Sequence, residues 1–366
     1  MDVGEVLKSL SEAVGISGYE TEVRDLVKAA FTPLADEVRV DQMGNVIALK
    51  RGTGDGPRHS IMLAAHLDEI GLIVTQVKEG FLQFTTVGGF DPRVLLGQLV
   101  TVHGRTPLPG IVASRPPHVL SAAEQDKVIP IDELYIDVGL APAEVEKLVR
   151  VGDLISLRRS FVRLKGDMVS GKAFDDRAGV ASLAVCLEHL STLKHTWDVY
   201  LVATVQEEVG LRGAVTSAYG LAPDLAIAID VGFANQPGVP EGESVPMGKG
   251  PSLGIGPNIH PGMLSKLMDA AKAHEIPYVT EALPGATGTD AWAIQVAREG
   301  IPTLLLSIPL RNMHTPVEVA SLKDIARTGR LMAAFISQLD DKSLDEIAWK
   351  LPESSPSPQP GVNTHP

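Results

Sequence analysis

Carboxylates and imidazoles recur in this chain at, or just beyond, the ends of apolar strand-like runs. Ile61 to Ala65 leads into His66 and Asp68, Val199 to Val205 into Glu207 and Glu208, Leu225 to Ile229 into Asp230, and Thr303 to Ile308 toward His314. Asp175 and Asp176 follow the Gly171-Lys172 turn and open a helical pattern that runs to Leu190. Near-continuous apolar runs mark parallel strands buried on both faces, and ligands of such sheets gather outside the strands' carboxyl ends. These side chains are therefore expected to converge. Converging His, Asp and Glu without a cysteine suit a hard-to-borderline divalent metal, Zn, Co or Mn. A single strand-end carboxylate such as Asp230 is ordinarily a helix cap or a rim charge; that reading does not account for all of them together.

The spacing suggests roles. His66 and Asp68 are two apart, and a strand's period of two puts both on one face, so Asp68 can hold the far ring nitrogen of His66 and fix its tautomer. Glu207 and Glu208 are adjacent, so the chain must turn for both to serve, and Gly210 eases the turn. One of them can bind metal while the other reaches a water. The candidate ligands are His66, His314, Asp175, Glu208 and Asp230. If Asp175 bridges, each of two ions receives one imidazole, one terminal carboxylate, the bridge and a shared hydroxide, which balances charge. Two ions about 3.5–4 Å apart lower a water's pKa and polarise a carbonyl together. Glu207, left unliganded, would take the water's proton and pass it to the leaving amine. Asp176 is expected to cap the helix it opens or to pair with Arg177, and Glu69 to be structural.

The elements that must carry these groups point to an α/β fold: a mixed, mostly parallel sheet with helices on both faces, plus an inserted small β-rich domain. The chain has 366 residues, 44% of them hydrophobic and 4% aromatic, which fits an aliphatic core and two domains. Helical periodicity covers Val3 to Val14 and Glu20 to Phe31. From about Ile70 to Val162 the texture changes to short alternating runs broken by Gly and Pro. Strand and helix alternate again from Met168, with helices at Met263 to His274, Asp290 to Arg298 and Leu322 to Leu339 and strands at Tyr278 to Leu283 and Thr303 to Pro309. The expected organisation is a catalytic domain in two parts, 1–69 and 163–345, an inserted β-rich domain over 70–162, and a disordered Pro/Ser-rich tail over 346–366. A net charge of −13 argues against nucleic acid or an anionic membrane as partner. Cys186 is the only cysteine, so no disulfide forms within the chain, and a reducing cytoplasm fits. No apolar run approaches the about 18 residues of a membrane span.

Several motifs resemble one family. Ala65-His66-Leu67-Asp68-Glu69-Ile70-Gly71, Gly171-Lys172-Ala173-Phe174-Asp175-Asp176-Arg177, Gln206-Glu207-Glu208-Val209-Gly210 and Arg311-Asn312-Met313-His314-Thr315-Pro316 closely resemble the tetrahedral aminopeptidases, metallopeptidase family 42. Val87-Gly88-Gly89-Phe90-Asp91-Pro92-Arg93 and Arg115-Pro116-Pro117-His118-Val119-Leu120 look like that family's inserted domain. The resemblance implies a zinc-exopeptidase-like fold and two divalent ions held by His66, Asp175, Glu208, Asp230 and His314, with Glu207 as base and Asp68 as support for His66. It implies release of N-terminal residues from short peptides, and dimers that assemble through the inserted domain into a tetrahedral dodecamer. It places Asp290 and Arg311 near the substrate, although Asp290, after Thr287-Gly288-Thr289 at a helix start, could equally cap that helix. Trp292 and Asn312-Met313 depart from the family pattern and bear on side-chain preference.

Three other functions are weighed against this one. A non-catalytic metal-binding or assembly scaffold is opposed by an unspent base beside a complete ligand set. A deacylase or carboxypeptidase could use the same metals, because the metals show only that a carbonyl is attacked. A glycoside hydrolase of endoglucanase type needs paired carboxylates and usually aromatic platforms, which the scattered Trp197, Trp292 and Trp349 do not supply.

Overall fold

The computed structural model describes residues 1–53, 58–119, 121 and 127–348. Seventeen strands occur among them: β1 (Glu37–Val40), β2 (Val46–Lys50), β3 (Ser60–His66), β4 (Gly71–Lys78), β5 (Phe81–Val87), β6 (Leu99–His103), β7 (Pro107–Ala113), β8 (Tyr135–Asp137) and β9 (Leu154–Leu157). After these come β10 (Val162–Arg163), β11 (Met168–Gly171), β12 (Asp198–Thr204), β13 (Leu225–Phe233), β14 (Ser252–Ile255), β15 (Val279–Ala282), β16 (Thr303–Arg311) and β17 (Glu318–Ser321).

Eleven strands form one sheet in the order β1-β2-β12-β3-β13-β16-β17-β11-β10, with β14 and β15 branching from β16. β12, β3, β13 and β16 run parallel at its centre. The flanking pairs β1–β2, β2–β12, β16–β17, β17–β11 and β11–β10 are antiparallel. The sheet is thus mixed, with a parallel centre, antiparallel flanks and a further parallel pair in the outlying β14 and β15, which corrects the expectation of a mostly parallel one. Burial explains the division. β3 is buried from Ile61 to His66, and β13 and β16 are buried for all but their last residue, as strands covered by helices on both faces must be.

Helix Phe174–Leu190 is buried along nearly its whole length and packs on β3, β13 and helix Leu322–Ser337. A helix apolar all round belongs in a core. The two helices approach so closely that a Cβ on Gly329 would lie 2.5 Å from the Ser182 carbonyl oxygen, a contact only glycine permits.

β4, β5, β8, β7, β6 and β9 close into a separate antiparallel barrel. Its interior is a second cluster of buried side chains, including Leu72, Phe84, Val100, Val112, Ile136 and Ile155, distinct from the cluster around the large sheet. Helix Pro142–Leu148 lies within this β-rich stretch and was not foreseen. Neither was helix Arg212–Leu221, whose small residues (Gly213, Ala214, Ser217, Ala218) bury against the sheet without a bold apolar stripe. Helix Asp290–Gln295 stops three residues short of the expected Arg298, and β16 continues past Pro309 to Arg311 because β17 pairs with Leu310 and Arg311. Helix Ser343–Ile347 occupies the start of the segment from 346. Leu120, Trp349 and the Pro/Ser-rich stretch from Pro352 with His365 lie outside the described residues. Among the described residues no helix is long and apolar enough to cross a membrane.

Candidate active site

The carboxyl ends of the parallel strands deliver the expected side chains to one place. β3 ends at His66, β13 carries Asp230, β12 is followed by the turn holding Glu207 and Glu208, and the β16–β17 connection supplies His314. Asp175 sits at the head of helix Phe174–Leu190, where Asp175 and Asp176 have non-helical dihedrals and the peptide between them is cis. Gln206 (φ 56°), Leu211 (φ 58°) and His314 (φ 58°) are left-handed, so both loops turn sharply at the site.

Asp175 is the hub. Its Oδ1 lies 3.1 Å from His66 Nε2 and its Oδ2 3.2 Å from His314 Nε2. His314 Nε2 is also 3.4 Å from Glu208 Oε1. Two sets of donors therefore form around a shared carboxylate: His66, Asp175 and Asp230, and Asp175, Glu208 and His314, each with ligand atoms within 4.8 Å of one another. Glu207 belongs to neither set, and its Oε2 is 3.9 Å from His66 Nε2.

Among the described residues five carboxylates and two imidazoles line a cavity of about 360 Å³, and no lysine or arginine does. The charge is correspondingly strained. Burial, opposed by His66 but reinforced by Asp230, Asp290 and Glu208, pushes Glu207 up to about 10. Burial and neighbouring carboxylates likewise raise Asp230 and Glu208. His314 is pushed up to about 11 by its bonds to Asp175 and Glu208, against burial. Burial would raise Asp175 too, but the two imidazoles hold it well below the usual carboxylate range. An oxygen-and-imidazole donor set short of positive charge fits divalent cations of the Zn, Co or Mn type.

Asp68 does more than support His66. The His66 Nδ1 contact at 3.2 Å is to the Asp68 backbone carbonyl, and the carboxylate Oδ1 is 3.6 Å away. The Asp68 carboxylate instead accepts the amides of Glu207 (3.0 Å) and Glu208 (3.2 Å) and the Ser17 hydroxyl (2.5 Å). Asp176 accepts the Gly179 amide as a helix cap and the His66 amide. Arg177 turns away from it and, with Lys172, binds Glu69 in a buried network.

Two further residues escaped the sequence reading. Glu318, buried, accepts the amides of Phe174 (2.7 Å), Asp175 (3.3 Å) and His314 (3.0 Å), so one carboxylate aligns two of the converging segments. Glu281 lines the cavity; its only signal is an acidic residue inside a strand pattern. The turn after β5 also reaches the site: a Cβ on Gly88 (φ +79°) would lie 3.4 Å from Glu208 Oε2, and one on Gly89 3.2 Å from His314 Nδ1. Asp290 and Arg311 are not among the cavity-lining residues. Asp290 is buried with Oδ2 2.5 Å from the Thr204 hydroxyl, and the exposed Arg311 donates to the Asn235 carbonyl.

The sequence and the fold both match known proteins. A Pyrococcus furiosus lysyl aminopeptidase is 38% identical, over 92% of this chain and 97% of its own. The solved TET aminopeptidase of a marine sediment archaeon of the Thaumarchaeota superposes with a TM-score of 0.89 at 37% identity, covering 94% of this chain and 99% of that one. A Pyrococcus horikoshii TET peptidase, described as assembling into a tetrahedron or a large octahedral shell, superposes with a TM-score of 0.81 at 33% identity, covering 92% and 100%. A sequence model of the M42 glutamyl aminopeptidase family matches residues 44–331. The chain belongs to the M42 glutamyl aminopeptidase family, and is a metal-dependent aminopeptidase.

Proposed function

We propose that the chain is a dinuclear aminopeptidase that removes N-terminal residues from short peptides. One observation carries this: the two oxygens of Asp175 face two different imidazoles, 3.1 Å and 3.2 Å away, the arrangement a carboxylate shared by two ions requires. His66 and Asp230 would complete one position and Glu208 and His314 the other. Two divalent ions bound there, Zn or Co with Mn as a third candidate, would supply the Lewis acidity that activates water and polarises the peptide carbonyl.

The chain's own groups do the rest. Glu207 stands outside both donor sets with its carboxylate turned to the same centre, which suits it to receive a proton from water on Oε2 and deliver it to the departing amine. Asp68 holds Glu207 in place through the backbone amide. Among the described residues no tryptophan lines the cavity, and Trp197 is buried elsewhere in the core, so a sugar-binding platform has no support.

The same reading covers the rest of the chain. Residues 70–162 form an inserted domain whose barrel serves assembly of dimers into a dodecamer; the apolar residues Leu99, Ile111, Val119 and Val128 exposed there support this. The cytoplasm is the compartment proposed, given a single buried cysteine.

The test is hydrolysis of aminoacyl p-nitroanilides with metal analysis. Chelator should abolish turnover and Zn or Co should restore it. Glu207→Gln should retain the metal content of the wild type while kcat falls about 10²- to 10⁴-fold; wild-type turnover in that variant would refute the assigned base.

A further inference from the structure

Selecting the first residue of a peptide is a separate task from cleaving it off, and any selectivity inferred for this cavity rests on the aminopeptidase reading. β14 and β15 extend the sheet beyond β16, and Glu281 on β15 turns its carboxylate back toward the sheet centre. Ser252 Oγ donates to Glu281 Oε2 at 3.3 Å, and Ser307 is a second hydrogen-bonding neighbour. A Cβ on Gly232 would lie 3.4 Å from the same oxygen, so the missing side chain leaves that oxygen room at the wall.

The register fixes the position relative to the reaction centre. Ser307 is the cross-strand partner of Asp230, and Gly232 is two residues beyond Asp230 on β13. With strands about 4.8 Å apart and a rise of about 3.3 Å per residue, the Glu281 carboxylate stands about 6–9 Å from the Asp230 side chain. That is the reach of a long side chain whose α-carbon sits at the metal-binding groups. The cavity that holds both carboxylates is also lined by the apolar residues Val231, Phe233, Leu283, Leu305 and Met313.

Among the described residues no lysine or arginine lines the cavity, and the hydrogen-bonding neighbours of the Glu281 carboxylate are Ser252 and Ser307. Burial raises its carboxyl above the usual range, against the serine hydrogen bonds. A half-buried carboxylate at the end of an apolar slot is a receptor for an ammonium or guanidinium on a methylene stem.

We infer that Glu281 determines specificity for the first residue of the substrate, selecting lysine and arginine. The slot takes the methylenes and the carboxylate takes the charged head. A glutamyl side chain would meet a like charge there, and a leucyl side chain would leave the carboxylate without a partner. If Glu281 bound the substrate's α-amine instead, every substrate would depend on it equally, and the experiment separates the two.

The experiment measures kcat/KM for lysyl, arginyl, leucyl and glutamyl p-nitroanilides with metal-loaded wild type and Glu281→Gln. Calorimetric binding of L-lysine and L-norleucine to the wild-type holoenzyme accompanies it. The expected wild-type order is lysyl and arginyl above leucyl, with glutamyl last, and L-lysine binding more tightly than L-norleucine. In Glu281→Gln the lysyl-to-leucyl ratio should fall about 10- to 100-fold, mainly through KM. Turnover with a wild-type preference for leucyl or glutamyl substrates, or a ratio unchanged by the substitution, overturns the assignment of Glu281 alone. Absence of turnover on all four substrates overturns the aminopeptidase reading and this inference with it.

Discussion

Asp68 Oδ1 accepts the backbone N–H of Glu207 at 3.0 Å, so the residue proposed as general base is held through its main chain by a side chain just beyond the end of the neighbouring parallel strand. The same carboxylate accepts the Glu208 amide and the Ser17 hydroxyl. Asp68→Ala leaves the buried Ser17 hydroxyl and the two part-buried amides without this acceptor, at up to about 1–3 kcal/mol each. The Glu207–Glu208 turn should loosen, and kcat should fall about 10- to 100-fold beyond any loss of folded protein. Steady-state kinetics normalised to folded enzyme by near-ultraviolet circular dichroism would check this. Wild-type kcat in the alanine variant would show that the amide contacts do not position the base.

Glu318 performs a comparable task across the site. Its carboxylate gathers the amides of Phe174, Asp175 and His314. Glu318→Ala should therefore disturb Asp175 and His314 together. The expected outcome is metal affinity lowered about 10- to 100-fold, read as metal retained after dialysis against graded chelator. Retention equal to wild type would show that the two segments hold their places without it.

The buried network at Glu69 predicts a pH dependence of stability. Glu69 Oε2 accepts from Lys172 at 2.7 Å and Oε1 from Arg177 at 3.2 Å and from the Gly15 amide at 3.0 Å. Burial alone would raise its carboxyl, but the two cations win and hold it below 4.5. A carboxylate depressed in the folded state stabilises fully above its unfolded pKa and loses that contribution as pH falls through the folded value. Glu69→Gln should cost about 3–5 kcal/mol near neutrality, since it strands two buried cations. The difference in urea unfolding free energy between wild type and variant should hold down to about pH 4.5 and shrink below it. A gap that widened in acid would contradict the sign.

The barrel's outer face offers a test of assembly. Leu99 and Ile111 are cross-strand partners on β6 and β7, 55% and 42% exposed. An apolar pair in the open is suited to burial against another copy. Replacing both with aspartate should shift light-scattering mass to smaller species while leaving the circular dichroism spectrum intact. An unchanged mass would move the contact elsewhere.

Local pattern made part of this molecule readable in advance. The apolar runs of β3, β13 and β16 announce buried central strands because a strand covered on both faces tolerates no polar alternation. The change to short alternating runs after Ile70 is the trace of a sheet wrapped around its own small core. The edges were less readable. β14 and β17 are four residues each, too short for a period to show, and the pairings of β14 with β16 and of β17 with β11 join segments far apart in sequence. Helix Arg212–Leu221 hides for a related reason: glycine, alanine and serine pack closely against a sheet while contributing little to an apolar stripe.

By itself, the sequence determined which side chains end the apolar strands, and so which could meet at the sheet's carboxyl edge, because strand burial is written in the identity of neighbouring residues. Only the tertiary structure decided that Asp175 shows one oxygen to His66 and the other to His314, that Asp68 grips the Glu207 backbone, and that Glu318 and Glu281 belong to the site at all. Those relations depend on distances between segments more than a hundred residues apart in several cases, and such distances are set by how layers pack, which no local period encodes.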